Sequence, residues 1–189
     1  MAFLDRRNRG NIPLCLHCRE PAVQTTPDRH EFFMRRALAE ARAAAEEGEV
    51  PVGAVIIHEG RIIAAAHNMV ERLKDPTAHA EILAITQAAA ALRDWRLEGT
   101  VLYVTKEPCP MCAGAVVLAR IPLVVWGADD PLRGGALSRF AILQSETLNH
   151  RCRIVRGILK DESLALLQGF FRRLRRGTAI PEEPRNPPD

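Results

Sequence analysis

The order of helix-like and strand-like segments constrains the fold of this chain more than any other feature. Apolar periodicity predicts helices at residues 28–47, 76–92, 108–120 and 162–176, and strands at residues 52–57, 62–67, 100–105, 122–127 and 152–158. Only four residues separate the first two strands, a spacing typical of a hairpin. A hairpin followed by alternating helices and strands predicts an α/β fold in which helices cover a sheet.

Length and composition fit one globular domain with an extension at each end. The chain has 189 residues, of which 47% are hydrophobic and 26% are charged, so a collagen-like or wholly disordered chain is excluded. We assign residues 1–27 to an irregular extension and residues 28–176 to one domain. Residues 177–189 are rich in proline and are expected to form a disordered tail.

The lengths of the apolar segments also indicate the cellular location of the protein. No apolar run approaches the length of about 18 residues that a membrane span requires, so we expect no membrane partner. The apolar patch at residues 12–16 is too short for the core of a secretory signal, and we expect a cytoplasmic protein. In that compartment five cysteines indicate metal binding or catalysis rather than a disulfide framework.

Basic residues are concentrated near the C-terminus. The net charge is only +3, but residues 151–176 contain eight basic and two acidic residues. Such a segment fits a surface that faces phosphates. The alternative is a solvated helix end in a chain whose basic residues are nearly all arginine.

Two short motifs at predicted helix starts carry side chains that zinc prefers. His79 lies near the start of the second predicted helix, and Cys109 and Cys112 lie at the start of the third. Cysteines three positions apart on one turn point their sulfurs to the same spot, and a helix N-terminus favours the thiolate. Three protein ligands leave the fourth tetrahedral position to water, as in catalytic zinc sites.

Glu81 completes this pattern. It lies two residues after His79, which suits a carboxylate that hydrogen-bonds a water without binding the metal. Such an arrangement fits an enzyme that activates water at neutral pH and moves its proton through a carboxylate. The alternative from another class is a zinc-stabilised binding domain without catalysis, in which Glu81 would have no use.

The other cysteines leave alternatives open. Cys15 and Cys18 form a second Cys-x-x-Cys pair, which would complete a four-cysteine structural site with the first pair. Because that site would leave the His-x-Glu motif unexplained, we interpret Cys15 and Cys18 as free thiols. A weak metal site with His17 or His30 is a further option. Cys152 is expected to be a small core residue.

Longer stretches around the motifs resemble a known family. His-x-Glu followed by Pro-Cys-x-x-Cys is the signature of zinc-dependent base deaminases of the cytidine-deaminase-like superfamily. Within that superfamily, residues 75–82, 100–115 and 148–151 closely resemble the bacterial tRNA adenosine deaminases. The resemblance extends over residues 31–176.

The resemblance implies a three-layer α/β/α fold with a five-stranded mixed sheet, one Zn²⁺ per subunit and a homodimer. The implied enzyme is a hydrolase acting on the C–N bond of a cyclic amidine. It would convert adenosine to inosine at the wobble position of an arginine tRNA anticodon loop, releasing ammonia. The partner is therefore expected to be a tRNA anticodon stem-loop, whose bases can be splayed into a pocket at little cost.

The resemblance also implies roles for individual residues. It assigns zinc binding to His79, Cys109 and Cys112, and proton transfer to Glu81. It assigns substrate contacts to four further residues: Asn68, Ala80, Asp130 and His150. Local interpretations are available for three of these: Asn68 as a turn cap, Asp130 as a turn starter and His150 as a surface residue.

Several positions depart from the family pattern. Lys106 stands where the family usually has an aliphatic residue, and residues 134–138 only loosely resemble the family's Gly-Ala-Ala-Gly-Ser loop. The pair Met69 and Val70 replaces one that usually contains Arg or Pro. A deaminase of a free base or nucleoside, such as guanine or cytidine, is therefore the alternative function. The basic C-terminal segment favours RNA, because a free nucleoside requires no phosphate-facing surface.

Overall fold

The computed structural model describes residues 27–177 of the chain. Its helices are α1 (Pro27–Glu46), α2 (Val70–Leu73), α3 (Ala80–Leu92), α4 (Pro110–Leu118) and α5 (Lys160–Arg175). Its strands are β1 (Gly53–His58), β2 (Arg61–His67), β3 (Thr100–Lys106), β4 (Leu123–Ala128) and β5 (Arg153–Arg156). The predictions for the N-terminal extension, including Cys15, His17 and Cys18, and for the tail beyond residue 177 lie outside the described residues.

The five strands form one mixed sheet with the order β2-β1-β3-β4-β5. The predicted hairpin is confirmed, because β1 pairs antiparallel with β2, and it also pairs antiparallel with β3. Strands β3, β4 and β5 are mutually parallel. Lys106 pairs with Ala128, so the carboxyl ends of β3 and β4 meet at one edge of the sheet.

Helices cover both faces of the sheet, which confirms the three-layer α/β/α architecture. Helices α1 and α5 pack on one face, where Met34 lies against β1 residue Val55. Helices α3 and α4 pack on the other, where Ala84 belongs to the same buried cluster as Ile56. Val55 and Ile56 are neighbours that point to opposite faces, as the two-residue period of a strand requires. The alanines of α3 let that helix lie close to the sheet.

All four predicted helix starts differ from the structure by one to four residues, and α5 begins at Lys160, two residues before its predicted start. Helix α3 begins at Ala80 because Asp75 ties down the preceding residues: its Oδ1 accepts both the backbone N–H and the hydroxyl of Thr77, each at 2.7 Å. Helix α4 begins at Pro110, a residue suited to the first helical position. Helix α1 begins at Pro27, so Asp28 lies in the first turn rather than at the N-cap.

Two short elements were not predicted: helix α2 and a 3₁₀ turn at Ile142–Gln144. Strand β5 is also shorter than predicted: it begins after Cys152 and ends at Arg156. The Cys152 side chain is only 3% exposed and belongs to the core cluster, as expected. No helix in residues 27–177 combines the length and apolar character that a bilayer-spanning segment requires.

Candidate active site

Two helix N-termini carry the predicted metal ligands. His79 is the N-cap residue of α3, and Cys109 is the N-cap residue of α4. Both have extended backbone conformations, and Pro110 follows Cys109 as the first residue of α4. The short connection from β3 to α4 therefore places Cys109 and Cys112 at the edge where the parallel strands end.

The structure brings His79, Cys109 and Cys112 together. The His79 Nδ1 atom lies 3.6 Å from Cys109 Sγ and 3.5 Å from Cys112 Sγ. All three ligand atoms lie within 4.8 Å of one another, and no other group of this kind occurs within residues 27–177. One imidazole nitrogen and two thiols are the donors that zinc prefers, so these residues fit a zinc ion with a fourth position left for water.

The three side chains are electrostatically coupled. A hydrogen bond from Cys112 and another from His79 lower the pKa of Cys109 to about 4, against the opposing effect of burial. The contact with Cys109, together with burial, raises the pKa of Cys112. The hydrogen bond with Cys109 raises the pKa of His79, although burial opposes it. The metal-free cluster thus holds a thiolate at Cys109, the form that binds zinc.

Glu81 lies beside this cluster. Its side chain is 3% exposed, and Oε2 is the only buried side-chain nitrogen or oxygen within residues 27–177 that has no hydrogen-bond partner. Burial raises the pKa of this carboxyl group. A buried carboxylate oxygen without a partner is costly, and such groups are characteristic of functional sites.

Asn68 links the end of β2 to the start of α3. Its Oδ1 accepts the backbone N–H of Ala80 at 2.9 Å, so it satisfies one of the unpaired donors at that helix N-terminus. Its side-chain amide nitrogen makes no hydrogen bond to any residue in the described part of the chain, and two donors remain for a ligand. Ala80 is fully buried, and its N–H is already used by Asn68.

Asp130 lies in the pocket loop, which we define as residues 129–138. This loop follows β4 and packs against the segment that carries the cysteines. The Gly135 and Ala136 N–H groups donate to the carbonyl oxygen of Pro108 at 2.8 and 3.2 Å. A Cβ atom at Gly135 would lie 2.3 Å from the backbone nitrogen of Pro110, so only glycine permits this approach.

Two buried carboxylates that support the site were missed by the sequence analysis. Glu107 is 2% exposed and accepts the N–H groups of Asp130, Leu137 and Ser138 and the Ser138 hydroxyl. Glu49 is 1% exposed and accepts the N–H groups of Glu71 and Arg72 at the start of α2. In the sequence, each of these glutamates lies next to an apolar strand segment. That position does not show which backbone N–H groups the carboxylate binds.

His150 does not join this cluster within one protomer. Its Nε2 atom is hydrogen-bonded to the Ile121 carbonyl at 2.9 Å, and neighbouring Asn149 accepts hydrogen bonds from Arg120. Ile121 precedes the amino end of β4, whereas the cluster lies at the carboxyl ends of β3 and β4. The arginines at the end of α5 are exposed: Arg172, Arg173, Arg175 and Arg176.

Comparison with known proteins supports the same chemistry. The profile of the MafB19-like deaminase family matches residues 28–175. The tRNA-specific adenosine deaminase of Bacillus subtilis is 51% identical over 146 residues, which cover 77% of this chain and 91% of the relative. That of Aquifex aeolicus is 54% identical over 145 residues, covering 77% of this chain and 95% of the relative.

Solved structures of deaminases have a fold similar to that of this chain. A structure from a study of tRNA:A34 deaminases superposes with a TM-score of 0.70 and 45% identity, covering 72% of this chain and 99% of the other. The guanine deaminase of Nitrosomonas europaea is more distant, with a TM-score of 0.61 and 26% identity over 74% of this chain and 83% of its own. By its sequence and its fold, this chain belongs to the family of the tRNA-specific adenosine deaminases.

Proposed function

We propose that this chain hydrolyses adenosine to inosine at the wobble position of a tRNA anticodon loop, with an arginine tRNA as the substrate. One water is consumed and one ammonia is released for each adenosine. The observation that carries this proposal is the buried Glu81 carboxylate, whose Oε2 has no hydrogen-bond partner, beside the His79, Cys109 and Cys112 cluster. In a chain of this family, that arrangement is suited to moving a proton during hydrolytic deamination.

The cofactor in this proposal is one Zn²⁺ per subunit, held by His79, Cys109 and Cys112. A zinc ion with three protein ligands acts as a Lewis acid that lowers the pKa of water to near neutrality. The Cys109 thiolate is already favoured without metal, so binding requires little further proton release from that residue.

Glu81 is the proton carrier in the proposed reaction. Its carboxylate takes a proton from the attacking water and gives it to a ring nitrogen of the base as the C6–O bond forms. It then takes the second proton from the same oxygen and gives it to the leaving amine, so that the C6–N bond breaks and ammonia departs. A raised pKa suits both steps, because the group must bind and release a proton near neutral pH.

Asn68 and the pocket loop position the substrate nucleotide in this proposal. The free Asn68 amide is a hydrogen-bond donor at the mouth of the site, and Ala80 contributes by fixing the start of α3. Asp130 acts as part of the loop that packs on the cysteine segment. We propose that His150 contacts the RNA away from the metal cluster, because its ring is bonded at the other end of β4.

The exposed arginines at the end of α5 supply a surface for the RNA backbone. Four arginines lie within residues 172–176, and their charges favour phosphate contacts. A tRNA substrate is consistent with a cytoplasmic enzyme, which we include in the proposal.

We also propose a homodimer formed through α4. Met111 and Leu118, seven positions apart on this helix, are 36% and 71% exposed. Between them, Gly114 leaves open space where a Cβ would stand, so a second copy can approach closely. Leu118→Glu is expected to reduce the mass seen by light scattering to one chain, whereas Leu132→Glu in the pocket loop leaves it unchanged. A single-chain mass for the unmodified protein would contradict the proposal.

The experiment that tests the function is ammonia release by the purified, zinc-loaded protein. The substrates are an arginine tRNA anticodon stem-loop, the same stem-loop with guanosine at the wobble position, free adenosine, guanine and cytidine. We expect turnover of the first substrate alone, and loss of that turnover with a strong chelator. Turnover of guanine or cytidine without turnover of the stem-loop would replace the proposal by the free-base or free-nucleoside alternative.

A further inference from the structure

Lys106 forms an ion pair with the pocket loop. It is the last residue of β3, and its Nζ donates a hydrogen bond to Asp130 Oδ2. The two side chains are 29% and 12% exposed, so solvent screens the pair less than it screens a surface pair. Lys106 is also near enough to His79 for its charge to oppose the pKa rise of that imidazole.

Asp130 in turn organises the first half of the pocket loop. Its other oxygen, Oδ1, accepts the backbone N–H groups of Leu132 and Arg133 at 3.2 and 3.0 Å. Burial would raise the pKa of Asp130, but the hydrogen bond and charge of Lys106, with these N–H groups, outweigh burial and lower it. The carboxylate is therefore ionised, and it accepts hydrogen bonds from Lys106, Leu132 and Arg133.

Glu107 accepts the backbone N–H of Asp130 at 2.9 Å and also holds the second half of the loop. Leu137 and Ser138 donate their N–H groups to Glu107 at 2.9 and 2.7 Å, and the glycine segment donates to Pro108. Leu132, in the first half, is 82% exposed and adds little packing. Within residues 27–177, Lys106 is thus the one side chain that ties the Asp130 carboxylate to the sheet.

We propose that Lys106 is a positioning residue that holds Asp130, and with it residues 130–133, against the active site and so sets the affinity for the substrate nucleotide. The effect on substrate affinity rests on the proposed function, whereas the effect on the position of residues 130–133 does not. The charge of Lys106 is compensated by Asp130, so Lys106 is not a phosphate-binding group. An aliphatic side chain at position 106 could not form this ion pair with Asp130.

The test begins with hydrogen exchange in the zinc-loaded protein without RNA. Lys106→Met keeps an unbranched side chain of nearly the same length and removes its charge. We expect faster exchange of the Leu132 and Arg133 amides and unchanged exchange at Leu137 and Ser138. The matched control is Lys74→Met, because Lys74 is 82% exposed and pairs with Glu71 at 3.7 Å outside the loop.

Kinetics on the stem-loop form the second readout. Lys106→Met is expected to raise KM about tenfold, equivalent to about 1.4 kcal/mol, with little change in kcat. Lys106→Arg should restore most of both the exchange protection and KM. Asp130→Asn should reproduce the effect, and the double variant should be no worse than either single variant.

Three outcomes would overturn the inference. The first is unchanged exchange at Leu132 and Arg133 in Lys106→Met. The second is a fall of kcat with KM unchanged. The third is a slope of log Kd for the stem-loop against log salt concentration that is smaller by about one in Lys106→Met than in the wild type. That result would make Lys106 a direct phosphate contact. A wild-type protein without activity on the stem-loop would instead refute the proposed function. The exchange experiment would still show whether Lys106 holds residues 130–133 in place.

Discussion

The Asn68 side chain caps helix α3 from the end of the neighbouring strand β2: its Oδ1 atom accepts the N–H of Ala80 at 2.9 Å. The two residues are twelve positions apart, and the carboxylate and imidazole of the site follow at the start of that same helix. One amide group therefore fixes the helix start with its oxygen, and its nitrogen has no hydrogen-bond partner among the described residues.

Substitutions of Asn68 should separate the roles of this oxygen and this nitrogen. Asn68→Ala leaves the buried Ala80 N–H unpaired, so we expect a loss of about 1–2 kcal/mol in the free energy of unfolding, together with loss of activity. Asn68→Asp keeps the acceptor and removes both N–H donors, so it should be closer to wild type in stability and still inactive. Urea denaturation and ammonia release measure the two effects. Full activity of Asn68→Asp would show that the donors are not used.

Replacement of Glu81 should abolish turnover without loss of metal. Glu81→Gln keeps the shape of the side chain but cannot carry a proton, so kcat should fall by about a thousandfold. Metal analysis should still find one zinc per chain. Glu98→Gln, at an exposed position, is the control and should leave both values unchanged. Zinc loss in Glu81→Gln would assign that carboxylate to the metal instead.

The cysteines should differ sharply in reactivity once zinc is removed. Cys109, with a pKa lowered to about 4 by its hydrogen bonds from Cys112 and His79, is a thiolate at pH 7. Burial raises the pKa of Cys152 to about 12, so that residue stays a thiol. Iodoacetamide should therefore modify Cys109 quickly in the chelated protein and leave Cys152 unmodified until the protein unfolds. Peptide mapping by mass spectrometry measures both, and equal rates would contradict the assignment.

His30 should make the fold sensitive to mild acid. Burial, with a smaller effect of the Arg29 charge, lowers the pKa of this imidazole, whose Nδ1 is hydrogen-bonded to the Tyr103 hydroxyl at 3.0 Å. Below about pH 6.5 the unfolded chain takes up a proton that the folded chain does not, so stability falls as the pH decreases. At higher pH both states are neutral there, and the effect vanishes.

The measurement is the urea midpoint of the zinc-free protein at pH 7.5 and pH 5.5. His30→Gln removes the titrating group and should lose less stability between these two values than the wild type. An equal loss in both proteins would mean that other groups cause the acid sensitivity. His30 is thus a core residue, and the cysteines with which it was considered as a metal ligand lie outside the described residues.

Local patterns in the sequence determined the helices and strands and the residues of the candidate site. The two-residue and helical periods predicted all five strands and the four longer helices, because each depends on neighbours within a few positions. His79, Glu81, Cys109 and Cys112 were identifiable for the same reason, since each pair lies within one helical turn. The helix starts were less accurate because Thr77 looks like a helix start but is held in a turn by Asp75.

Only the tertiary structure decided which distant residues support the site. Glu49 reaches the start of α2 across 23 positions, and Glu107 reaches Ser138 across 31. Such contacts depend on the order of the strands, which no local pattern contains. The same order separates His150 from the zinc ligands, because it lies at the amino end of β4 while they lie at the carboxyl end. The sequence thus determined which residue types form the cluster, and the sheet order determined which loops lie beside it.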